Sequence, residues 1–190
     1  MLGICCFRRF AKISTDTVVL SDRLCIGTGG AVNVVLSPQD LLSCDTRELG
    51  CNGGHLPYSW AFLVSTGIVP DSCEPYTSGT TNTVPTCPVT GCQKYKASTY
   101  YSVPASNIQS EILVNGPVEA AFDVYRDFFQ YSSGVYSFTS GANVGGHAIK
   151  IIGWGTDFAG TPYWIVQNSW GTWWGMNGFF WIKRGVNGKS

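Results

Sequence analysis

The stretch that decides the fold is Val144-Gly145-Gly146-His147-Ala148-Ile149-Lys150-Ile151-Ile152-Gly153-Trp154-Gly155, followed by Pro162-Tyr163-Trp164-Ile165-Val166-Gln167-Asn168-Ser169-Trp170-Gly171. Apolar, β-branched and aromatic residues over 147–153 and 163–167 predict two strands, joined by a short turn at 157–161. His147 heads the first strand and Asn168 ends the second, so an antiparallel pairing brings both to one edge. An asparagine amide oxygen there can hold an imidazole N–H and fix its tautomer, the task of the third member of a nucleophilic triad. Glycines before the histidine leave room for a substrate backbone, and Trp170 can shield the His147–Asn168 bond from water. The plainer alternative is a core histidine among indoles that merely fill space.

The motifs taken together carry a resemblance. Gly-Gly-His-Ala-Ile, Gly-Trp-Gly, Pro-Tyr-Trp, Asn-Ser-Trp-Gly and the closing Trp174-Gly175-Met176-Asn177-Gly178-Phe179-Phe180 occur in the order found in the papain family of cysteine proteases. The likeness is greatest to its cathepsin B branch and covers residues 20–190. It implies an α+β fold of two lobes: a helical left lobe over 1–102, in which 1–19 are not family-like, and an antiparallel, barrel-like β-rich right lobe over 103–190. The active-site cleft would lie between them. It also implies a Cys-His-Asn mechanism with His147 and Asn168 in place. Substrate would be held along Gly53, Gly54, Gly146, Ala148 and Trp170.

The nucleophile is the departure. Relatives carry it after Gln-Gly-x-Cys-Gly-Ser-Cys-Trp-Ala-Phe, at the start of a long helix whose end resembles Leu20-Ser21-Asp22-Arg23-Leu24-Cys25. Counted back without gaps, its position falls on Ala11, with Lys12 where tryptophan belongs. Residues 13–19 are rich in β-branched side chains and read as poor helix formers. Cys5 and Cys6 remain as candidates. On an unbroken helix Cys6 would sit about 7.5 Å along the axis and about 140° around it from the required place. No glutamine precedes Gln39 to support an oxyanion.

Composition sets outer bounds. The 190 residues are 44% hydrophobic, enough for one large domain or two small lobes. Twelve basic residues balance twelve acidic ones, which gives no reason to expect nucleic-acid or anionic-membrane partners. No apolar run is long enough to span a bilayer, and the first ten residues do not form a secretory signal. The chain therefore reads as incomplete at its start, and also at its end, where relatives add a strand. Eight cysteines lie in the first half. No Cys-x-x-Cys pair accompanies them, so disulfides are favoured over zinc, and neither metal nor cofactor is expected. The resemblance implies Cys44–Cys87 and Cys73–Cys92, with Cys51 bonded to a cysteine just ahead of the nucleophile and Cys25 to one further upstream.

Elsewhere, 37–44 reads as a helix capped by Ser37 with Pro38 at its first position. The stretch 57–66 reads as a helix with Trp60, Phe62 and Leu63 in the core, and 105–115 as one with Ile108, Ile112 and Leu113 on one face. Strand 118–125 and a helical turn at 127–131 follow. Cys51-Asn52-Gly53-Gly54 matches a shelf along which relatives hydrogen-bond substrate backbone, and only glycine permits so close an approach. His55 reads as exposed. The span 71–98 is loop-rich. Its part 77–85 lacks the histidine and cysteine pair of the occluding loop that gives cathepsin B its carboxydipeptidase activity. Two functions follow: a lysosomal, vacuolar or secreted endopeptidase acting as a monomer on peptides or proteins, or an inactive homologue that binds them.

Overall fold

The serine cap and proline at 37–38 form as the sequence predicts: in the computed structural model Ser37 Oγ accepts from Asp40 N at 3.0 Å, and Pro38 opens the helix. The structure describes residues 2–5 (backbone only), 15–89 and 91–186. The chain divides into two compact units, Met1–Ser102 and Val103–Ser190.

The first unit holds strand β1 (Leu2–Cys5), helix α1 (Thr15–Gly27), helix α2 (Pro38–Cys44), strand β2 (Asn52–Gly54), helix α3 (Leu56–Ser65) and the short helix α4 (Ser78–Thr81). β1 pairs antiparallel with β2, Leu2 opposite Gly54 and Cys5 opposite Asn52. The core gathers Leu20 of α1, Leu36, Leu41 of α2, Phe62 and Leu63 of α3, and Ile68, with Trp60 partly buried beside them. Two features correct the sequence reading. α1 runs through Thr15, Thr17, Val18 and Val19 although these are weak helix formers. Thr17 and Val19 are buried, and packing outweighs a penalty of a few tenths of a kcal/mol per residue. α4 forms inside the expected loop because Gln39 of α2 receives the N–H groups of Thr77 and Ser78.

Both implied disulfides form, Cys44–Cys87 and Cys73–Cys92, with Cα atoms 4.7 Å and 6.6 Å apart. Loops of this size are stabilised by roughly 3 to 4 kcal/mol each on a chain-entropy account. Cys51 is also in a disulfide. Cys25 is not; it is a free, half-buried thiol. The expected upstream bond is thus a misreading: Cys25, in the last turns of α1, keeps its thiol. Asp40 lies near the sulfurs of Cys44 and Cys87, but their disulfide leaves no thiolate to bind a metal.

The second unit opens with a 3₁₀ turn at Ala105–Asn107 and helix α5 (Ile108–Asn115). Strands β3 (Val118–Tyr125), β4 (Val135–Tyr136), β5 (Asn143–Thr156), β6 (Pro162–Gln167) and β7 (Phe179–Lys183) build its sheet. The order is β3-β5-β6-β7-β4, antiparallel except for the β4–β7 pair. Leu113 does not share the face of Ile108 and Ile112. It is 74% exposed, since five residues along a helix turn it about 140° from Ile108. Gly155 is required where it stands: a Cβ there would lie 2.5 Å from the Tyr163 ring.

The interior of this unit is aromatic. Phe128 meets Phe122, Tyr136, Trp170, Trp174 and Phe180 at centroid distances of 4.8 to 5.4 Å, mostly edge to face. Beside it, Asp127 anchors the 137–141 loop: its carboxylate accepts from Tyr136 Oη, Thr139 N, Thr139 Oγ1 and Ser140 N at 2.8 to 3.2 Å. Partial desolvation pushes the Asp127 carboxyl up, but the donors outweigh it and hold it at about 2. This contribution to stability is full above the ordinary aspartate value and is lost as pH falls from about 4 through about 2. Thermal melts of Asp127→Asn are expected to show a shallower loss than the parent across that window. Parallel curves would remove Asp127 from the acid response.

Candidate active site

β5 and β6 are antiparallel, with Lys150 opposite Gln167, so the chain leaving β6 runs back beside His147. Asn168 is set there by its own backbone, whose N–H donates to Gly178 O at 2.9 Å. His147 Nε2 lies 2.8 Å from Asn168 Oδ1. The same oxygen accepts from Ser169 N, also at 2.8 Å. That second contact fixes the chemistry. A backbone N–H can only donate, so the atom facing it must be the amide oxygen, and His147 Nε2 must then carry the proton. In the neutral ring Nδ1 is left with the lone pair, as a general base requires. Asn168 Nδ2 is buried and has no hydrogen-bond partner among the described residues.

The surroundings are dry. His147 is 7% exposed and its ring stacks on Trp170 at 5.2 Å and 30°, with Phe122 at 6.0 Å on another side. Trp170 stacks in turn on Phe129, at 5.2 Å and 11°. Gly146 and Ala148 flank the histidine in β5, opposite Asp123 and Ala121 of β3. Gly145 takes φ +119°, which only glycine adopts without strain.

Gly53 and Gly54 belong to the first unit. Gly53 has φ +110°, and the β2 backbone is paired with β1. The loop ahead of them is braced from both ends. Arg47 bonds Asp45 Oδ1 at 3.0 Å and Tyr58 O at 2.7 Å, while the Glu48 carboxylate accepts from His55 N at 2.8 and 3.1 Å. Burial pushes the Glu48 carboxyl up, against the opposing effect of the His55 N–H. The His55 ring is exposed and meets only Tyr58 edge-on among the described rings.

His147, Asn168 and Trp170 are thus brought together, with Gly146 and Ala148 alongside. Cys6, Ala11 and Lys12 lie outside the described residues, and of Cys5 only the backbone, in β1, is described. Sequence reasoning missed three participants. Ser169 supplies the N–H that orients the amide, and Gly178 supplies the carbonyl that seats Asn168. Phe129 stacks on Trp170; the sequence showed it only as part of a helical turn.

The description "papain family cysteine protease" matches residues 10–190, ten residues further upstream than the sequence motifs reach. Cathepsin B-like cysteine proteinase 4 of Caenorhabditis elegans is 43% identical, over 88% of this chain and 60% of its own. The gut-specific cysteine proteinase of the same organism is 46% identical, over 88% of this chain and 58% of its own. A procathepsin B of Trypanosoma congolense superimposes with a TM-score of 0.82 at 38% identity, covering 92% of this chain and 62% of that one. The chain spans about 60% of the length of the curated relatives it matches. Among the described residues, no helix is long and apolar enough to cross a membrane.

Proposed function

The chain belongs to the papain family of cysteine proteases, and from that premise we propose that its lineage is one of cathepsin-B-like endopeptidases working through a Cys-His-Asn triad. The observation that carries this is the doubly held Asn168 oxygen, which keeps the His147 Nε2 proton on the amide and leaves Nδ1 as the atom that takes and gives the catalytic proton. In the working enzyme His147 Nδ1 takes the proton of a cysteine thiol, the thiolate attacks the scissile carbonyl carbon, and Nδ1 delivers that proton to the departing amine as the C–N bond breaks. Water then cleaves the thioester, giving its proton back to His147 and restoring the thiolate. Asn168 keeps the imidazole in register. Gly53, Gly54, Gly146, Ala148 and Trp170 receive the peptide. Substrates are peptides or proteins, the enzyme acts as a monomer without cofactor, metal, nucleic acid or membrane partner, and the disulfides suit a lysosomal, vacuolar or secretory route.

The 190-residue chain itself is a second case. Ala11 in the nucleophile's register has no attacking atom, so we propose that this form cleaves peptides little or not at all and keeps at most a peptide-binding role. The test of the lineage is a form in which a Cys-Gly-Ser-Cys-Trp-Ala-Phe segment precedes residue 20. It is expected to cleave internally quenched peptides, and Asn168→Ala or His147→Ala should lower kcat/KM by about 10²-fold or more. It should release C-terminal dipeptides far more slowly than it cuts internally, because 77–85 offers no histidine to hold a terminal carboxylate. Dipeptide release as fast as internal cleavage would count against the endopeptidase assignment.

A further inference from the structure

Phe129 is a large apolar side chain left 47% exposed while the indole it covers, Trp170, is 5% exposed. Its ring lies nearly parallel to that indole, at 11° and 5.2 Å, and the indole in turn lies on His147 at 5.2 Å. The backbone at 129 is pinned, since Trp174 Nε1 donates to Phe129 O at 3.2 Å. Phe128 and Trp174 meet Trp170 edge to face at 5.4 and 4.9 Å, so Phe129 is its second stacked partner, beside the imidazole. Leaving a half-exposed phenylalanine forgoes much of the gain from its burial, and the side chain is better explained by what it shields.

We propose that Phe129 is a positioning residue for the catalytic imidazole: by covering Trp170 it holds the indole flat against His147 and keeps water from the His147–Asn168 hydrogen bond. This rests on the reading of His147 as base and Asn168 as its orienting amide. Without the cover, Trp170 gains room to tilt. Water then competes for Asn168 Oδ1, and the ring is no longer confined to the Nε2–H tautomer.

The test uses the 190-residue protein labelled with ¹⁵N at histidine and needs no peptidase activity. In the parent, His147 is expected as the Nε2–H tautomer, with an Nε2 proton that exchanges slowly with water. Phe129→Ala should speed that exchange about tenfold or more, and Phe129→Tyr, which keeps the stacked ring, should restore the parent rate. Should the alanine variant fail to fold, Phe129→Leu decides: it keeps apolar bulk without a stacking face and is expected to exchange several-fold faster in a native, dispersed spectrum. An unchanged tautomer and exchange rate in the folded alanine or leucine variant would overturn the role of Phe129 alone. A parent His147 carrying its proton on Nδ1 would overturn both this role and the triad reading.

Discussion

Incubated with an epoxide inhibitor that alkylates the nucleophile of cysteine proteases, the 190-residue protein is expected to take up no stoichiometric label, and its peptidase rate should be near background. Ala11 offers no thiol. Cys44, Cys73, Cys87 and Cys92 are paired with one another, and Cys25 is a half-buried free thiol in α1. Cys51 is in a disulfide as well. Cys5 and Cys6 remain as candidates from the sequence, and a cysteine taken into a disulfide is no longer a thiolate. Either would need to reach within about 3.2 Å of an imidazole nitrogen, without an upstream glutamine to support the oxyanion. Loss of one oxyanion donor alone costs about 10²–10³ in rate, and loss of a triad member leaves only about 10³–10⁴ over the uncatalysed reaction. Mass mapping of the treated protein checks this. Stoichiometric adduct at Cys5 or Cys6, abolished by His147→Ala, would show that the N-terminal segment supplies a working nucleophile.

The second large effect concerns stability, in Gln39→Ala. Gln39 is 1% exposed, and its side chain ties α2 to α4. Oε1 accepts from Thr77 N at 2.9 Å and Ser78 N at 3.0 Å, while Nε2 donates to Ser78 Oγ at 2.9 Å and Ser43 Oγ at 3.1 Å. Removing the amide strands two backbone N–H groups that a surface loop could otherwise give to water. At about 1–3 kcal/mol for each unsatisfied buried group, partly relieved as the loop shifts, the loss should be about 3 kcal/mol. In a chain of this size that is a fall in Tm of roughly 6–12 °C. Thr80→Ala, which removes only an exposed hydroxyl bond to Thr77 O, serves as the control and should move Tm little. A Gln39→Ala variant as stable as that control would mean that α4 is held by the neighbouring disulfides instead.

The same network marks where local reading stops. Ser37 and Pro38 announce a helix start because cap and first turn lie three residues apart. Gln39, one position on, looks like any polar residue of a helix. What makes it central is Ser78, thirty-nine residues away, and no periodicity encodes that contact.

Sequence by itself determined the α+β class and the family, through motifs whose order survives divergence. It also led to β3, and to β5 and β6 through their apolar, β-branched and aromatic runs. It led as well to the meeting of His147 with Asn168, since the short turn brings the chain leaving β6 back beside His147, which lies within β5 and not at its head. Tertiary structure alone decided the rest. α1 is helical through β-branched residues because Thr17 and Val19 are buried on folding. Leu113 is left in solvent because α5 turns it away from Ile108 and Ile112. Cys25 stays a thiol because a disulfide requires sulfurs within bonding reach, which a resemblance in spacing cannot guarantee. Phe129 covers Trp170 through a contact between distant parts of the chain. Spacing fixes neighbours within a turn or across a hairpin. Contacts beyond that range are set by how whole elements pack, and there the sequence names the side chains without naming their partners.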